Sequence, residues 1–158
     1  MRAHAFLLGL LAISLAACDQ PEWTKPSAPG DHPPPAPAWA APLIGERLRE
    51  AFIETAGCAG AVDTVTQRFK GPPAGARIVG WAWDTRAHQP AMRIIVVRDG
   101  LIVGAGDGGR PRADVPAVRP DVTSAATGWQ IDARSIGGEL EVLAVIGSGA
   151  CPLGRIAP

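Results

Sequence analysis

Tyrosine is absent from this 158-residue chain, and large rings of any kind are scarce: five Trp and three Phe. The hydrophobic core must therefore be built from short runs of Val, Ile and Leu around a few indoles. Histidine is almost as rare. His4 and His32 stand near the amino terminus, so a His-based metal site or a Ser-His-Asp triad would rest on His88 alone, in a turn-like stretch. Net charge is also missing, because 15 basic residues balance 15 acidic ones along the chain. A concentrated basic face, which nucleic acid demands, is thereby excluded. Long apolar runs are absent too. The longest covers Ala5–Ala17, about 13 residues, and a spanning helix needs roughly 20. What the chain has in plenty is Gly (19) and Pro (16), which signal many turns and few long helices.

The apolar run has the form of an export signal. Met1-Arg2-Ala3-His4 gives a positive start, and the run ends in Leu15-Ala16-Ala17-Cys18. That ending resembles the lipobox of bacterial lipoproteins. The resemblance implies cleavage before Cys18, lipid on its thiol, and a mature protein held at the membrane by more than one acyl chain. Asp19 resembles the inner-membrane retention signal of enteric lipoproteins, which favours the inner membrane over the outer. The expected location is the cell envelope, facing the periplasm. Segment 1–17 is read as the signal peptide and 18–43 as the lipidated cysteine with its tether. The tether holds eight prolines, including Pro33-Pro34-Pro35-Ala36-Pro37, and prefers extended polyproline II geometry with a reach of roughly 75 Å. Trp23 and Trp39 are expected to be loosely packed or interfacial.

Segment 44–57 reads as an amphipathic helix. Ile44, Leu48, Phe52 and Ala56 recur every four residues, Glu46, Arg47, Arg49 and Glu50 face away, and Gly57 closes it. Segment 58–158 then shows strand periodicity. Seven strands are expected, at 61–65, 77–84, 92–98, 101–103, 129–133, 139–146 and 152–156. Asp99-Gly100 marks a tight hairpin, and Ile94-Ile95-Val96-Val97 a strand buried on both faces. The long stretch 104–127 reads as irregular, with Gly104–Gly109 a flexible turn rather than a phosphate loop. The fold class is all-β, a small antiparallel sandwich preceded by one helix.

Gly80-Trp81-Ala82-Trp83-Asp84, Arg112-Ala113-Asp114-Val115 and Gly128-Trp129, in that order, resemble an immunoglobulin-like β-sandwich module of bacterial envelope proteins. The string Arg119-Pro120-Asp121-Val122 repeats the second motif with the Pro that Ala113 replaces, so two copies compete for its place. The module has no activity common to its hosts, so the likeness bears on fold more than on function. Without it, Arg112 and Asp114 read as a pair that locks a loop, with Asp114 capping a short turn.

With Cys18 committed to lipid, Cys58 and Cys151 remain, Cys58 opening the first strand and Cys151 the last. In an immunoglobulin-like sandwich these two strands can lie side by side and parallel, which brings their starts together. They are expected to form a disulfide, since neither a C-x-x-C spacing nor a neighbouring His suggests redox chemistry. Trp81, Trp83 and Trp129 are candidate ligand or core aromatics, with two of the three expected in the core and Trp81 at its centre. The sequence offers no catalytic constellation, no metal ligands and no cofactor motif. It supports a lipid-anchored display protein that binds an envelope protein or glycan, or a structural envelope-maintenance lipoprotein. An exposed Trp pair would favour binding, and three buried Trp the structural role.

Overall fold

A computed structural model describes residues 32–71, 74–134 and 137–157; the signal, Cys18, Asp19 and Trp23 lie outside them. Among the described residues, nine strands form two sheets. The first sheet holds β1 (Ile53–Glu54), β5 (Arg93–Arg98), β6 (Leu101–Asp107), β8 (Leu140–Ile146) and β9 (Gly149–Ile156), in the order β1-β9-β8-β5-β6. The second holds β2 (Cys58–Phe69), β3 (Gly75–Asp84), β4 (Gln89–Pro90) and β7 (Gly128–Arg134), with β2 on one side of β3 and β4 and β7 on the other. All pairs are antiparallel except β1 with β9. The seven expected strands correspond to β2, β3 and β5–β9, and the two additions are only two residues long.

The core between the sheets follows from strict alternation. Ile78 and Ala82 of β3 and Trp129, Ile131 and Ala133 of β7 meet Ile94 and Val96 of β5 and Leu140, Val142 and Ala144 of β8. Ile95 and Val97 point to the opposite face yet are also buried, so the run 94–97 is enclosed on both sides as its composition demands. Asp99 and Gly100 both take positive φ, 51° and 76°, which is the backbone of a two-residue hairpin turn matched to strand twist.

The helix expected over 44–57 is corrected to a single turn, α1 (Leu48–Ala51). Gly45 lies at φ 92°, and the backbone around it bonds to β6 instead: Gly45 N–H donates to Ile102 O (2.8 Å), Ile102 N–H to Glu46 O (2.9 Å) and Leu48 N–H to Gly100 O (2.9 Å). Ile53 and Glu54 then pair with Gly149 and Ala150. So short a helix is marginal alone, and partners on the sheet outcompete it.

The expected tether also shortens. Pro33 is buried, and Ala36, Trp39, Ala40, Leu43, Leu48, Ala51 and Phe52 cover the outer face of the five-stranded sheet over Ile95, Val97, Ile102, Leu143 and Val145. Trp39 is not loose: its Nε1 donates to Asp107 Oδ1 at 2.8 Å, and the Arg93 guanidinium sits 5.4 Å from its ring centre. The strap runs from Gly75, where Pro33 packs, to Asp107, back to Gly100, and forward again to Gly149.

The stretch 104–109 is likewise corrected. Gly104–Asp107 continues β6, and glycine is there because β7 comes close: a Cβ on Gly106 would lie 2.2 Å from the Gln130 carbonyl oxygen. Beyond it, α2 (Asp114–Val118) gives the loop 110–127 an ordered turn.

Candidate functional site

The three motif segments meet at one end of the four-stranded sheet. On the outer face of β3, Trp81 and Trp83 stand opposite Ala61 and Ala59 of β2, whose small side chains leave room for the indoles. Val115 of α2 and Val122 close over them. On the inner face of the same strand, Gly80 faces Trp129. All three tryptophans are buried, Trp81 at 9%, Trp83 at 1% and Trp129 at 0% exposure. Only Trp129 belongs to the core between the sheets. Trp81 is therefore not the centre of that core. It lies in a separate outer layer, because alternation along β3 sends 81 and 83 away from 78, 80 and 82.

Two arginine–aspartate forks fasten the covering loop. Arg112 Nε and Nη2 donate to the two carboxylate oxygens of Asp114 at 2.8 and 2.7 Å, and its Nη1 reaches Asp63 on β2. Asp63 is left outside the ladder by the register shift between Val62 and Thr64, and this bulge presents its carboxylate to the loop. Arg119 makes the same fork with Asp121, at 3.0 and 2.8 Å, while its guanidinium lies 5.5 Å from the Trp81 ring centre. The repeated string thus has two jobs: the first copy ties the loop to β2, and the second lies over Trp81. The hydrogen bonds from Arg112 hold the Asp114 carboxyl below its usual range, and Arg119 does the same for Asp121. Conversely, Asp114 and Asp63 raise Arg112 further above its ordinary range against the opposing effect of burial.

Asp114 opens α2 as its first residue, with Ala113 at the cap position and no side-chain cap bond, so the expected capping role goes to the fork instead. Asp84 caps the next turn, its Oδ1 accepting from the backbone of Arg86 (2.9 Å) and Ala87 (3.0 Å). His88 is exposed in that turn at φ 52°.

Cys58 and Cys151 are disulfide-bonded, with their Cα atoms 6.2 Å apart, and the bond joins β2 of one sheet to β9 of the other. The parallel neighbour of β9 is β1, not β2, so the bridge crosses between layers rather than between adjacent strands.

Among the described residues, no group of three His, Cys, Asp or Glu is placed to hold a metal. No helix there is long and apolar enough to cross a membrane. Clefts among the described residues include open surface grooves. One, of about 270 Å³, lies beside α1 and is lined by Leu48, Phe52 and Leu143 with Arg49, Glu141 and Arg155 at its rim. Another, of about 280 Å³, follows the strap at Pro34 and Pro35.

Sequence reasoning missed Asp63 and the docking of Trp39, and left open which of the two Arg-x-Asp-Val copies does what. The repeated Arg-Pro-Asp-Val string was a usable signal for Arg119. Asp63 carried none, since its role depends on a bulge. No family model, no curated protein and no solved structure matches the chain.

Proposed function

We propose that the chain is a lipid-anchored cell-envelope protein whose β-sandwich acts without catalysis, in a structural role. The observation that carries the anchor is the lipobox Leu15-Ala16-Ala17-Cys18 at the end of an apolar run too short to span a bilayer. Disulfide formation between Cys58 and Cys151 agrees with export to an oxidising compartment. The strand order β2-β3-β7 against β9-β8-β5-β6 supports the immunoglobulin-like reading, in which consecutive strands cross between the layers in Greek-key fashion. Burial of Trp81, Trp83 and Trp129 favours the structural role over a sugar-stacking platform, which needs exposed ring faces.

Display of the loop layer 110–127 to an envelope protein is the second reading. It is favoured by Val118, 76% exposed at the outer end of α2 beside the Arg119 fork.

The test is fractionation and complementation. Cys18→Ser releases the protein from membranes after a high-salt wash. The full chain, but not this variant, restores detergent resistance to cells lacking it. Retention of the variant on membranes overturns the anchor. Stoichiometric capture of one glycan or protein by the acylated chain overturns the structural role.

A further inference from the structure

The chain outside the described residues ends at a defined place on the fold. Pro33 is buried beside the β2–β3 hairpin, where a Cβ on Gly75 would lie 2.9 Å from Pro33 Cγ and 3.1 Å from Phe69 Cδ2. Gly75 pairs with Phe69 on one side and Arg134 on the other. The amino-terminal segment therefore joins the domain between Lys70, next to Phe69, and Arg134.

This end of the four-stranded sheet carries surplus positive charge. Arg68, Lys70 and Arg134 form no ion pair among the described residues, and Lys70 and Arg134 are exposed. Asp132, two residues before Arg134 on β7, is already engaged by the Arg77 fork at 2.8 and 2.9 Å. Arg68 Nε is buried without a hydrogen-bond partner. At the same end of the five-stranded sheet the charges are paired, Arg155 with Glu139 and Glu141 and Arg98 with Asp99, two cations against three carboxylates, so the surplus of positive charge lies on the four-stranded sheet.

We propose that the end of the sandwich bearing Arg68, Lys70 and Arg134 rests on an anionic phospholipid surface. The proposal builds on the reading of Cys18 as the lipidated residue. From Cys18 to His32 the chain spans at most about 43 Å as polyproline II, and about 20 Å as a flexible coil. The basic end is thus the part of the domain held closest to the bilayer. Lysine and arginine within a Debye length of anionic headgroups gain attraction that salt screens. Loop layer 110–127 and the Asp84–His88 turn lie at the opposite end of β3 and face away from the lipid.

Lys70 is the built-in reporter. The acylated full chain is reconstituted in phosphatidylcholine vesicles and in vesicles containing phosphatidylglycerol, and amine acetylation of each lysine is followed by mass spectrometry. Lys70 acetylates about fivefold more slowly on the anionic vesicles, and the difference vanishes in about 0.5 M salt. Arg134→Glu, at an exposed position, and Arg68→Glu/Arg134→Glu abolish it as well, with a circular-dichroism spectrum confirming the fold. Equal Lys70 rates on the two vesicles overturn the proposal. Equal protection of Lys70 in the Cys18→Ser chain free in solution also overturns it, assigning the basic end to the chain's own Asp19, Glu22 and Asp31. Failure of the anchor reading is seen separately, as Cys18→Ser protein that still floats with vesicles in high salt.

Discussion

The indole of Trp129 occupies the space a side chain at Gly80 would fill: a Cβ there would lie 2.3 Å from Trp129 Cζ2 and 2.1 Å from the Ala61 carbonyl oxygen. Gly80 is thus required by close approach rather than by backbone conformation. Gly80→Ala must push either the β2 backbone or the largest ring of the core, and the expected cost is at least about 2 kcal/mol. Urea unfolding of the variant measures it, and an unchanged midpoint would contradict the packing described.

Truncating the two indoles should have different consequences. Trp129→Ala opens a void between the sheets and costs about 3–5 kcal/mol. Trp81→Ala costs less and instead frees the loop 110–127, which becomes the first site of proteolysis. Thermal melts and limited proteolysis distinguish the layers. A Trp81 variant that melts below the Trp129 variant would reverse the assignment.

The disulfide closes a loop with a sequence separation of 93 residues. Constraining so long a segment of the unfolded chain contributes about 4–5 kcal/mol. Cys58→Ala/Cys151→Ala should lose most of this in denaturant unfolding, and non-reducing peptide mapping of the native chain should recover the two cysteines in one linked fragment.

Extending a deletion of residues 19–31 through residue 47 should lower the melting midpoint steeply. The second deletion uncovers Ile95, Val97 and Leu143 and the backbone partners of β6. Equal midpoints for the two truncations would show that the strap contributes nothing to the fold.

The strand content was legible because alternation at 77–84 and 129–133 and the apolar run 94–97 each have one reading. The Asp99-Gly100 turn was legible for the same reason. Segment 44–57 was not. Its four-residue repeat is a valid helical stripe, and only the hydrogen bonds offered by Gly100 and Ile102 decide against it. The prolines of 33–37 looked like a spacer because composition records the lack of a ladder, not the presence of a surface to lie on. Pairing of Arg112 with Asp114 was visible at a spacing of two. Its extension to Asp63 was hidden, since it joins positions 49 residues apart through a bulge.

Mechanical load reaching Pro33 from the amino-terminal side passes through the strap, which is held to the sheet by three backbone bonds to the β5–β6 hairpin and by the two-residue pairing of β1 with β9. A steady pull would peel the strap away from the outer face turn by turn. Unravelling from that direction halts at Cys58, where the covalent link to Cys151 hands the force directly to the opposite sheet. Under such a load the strap would give way before the body that the disulfide clamps.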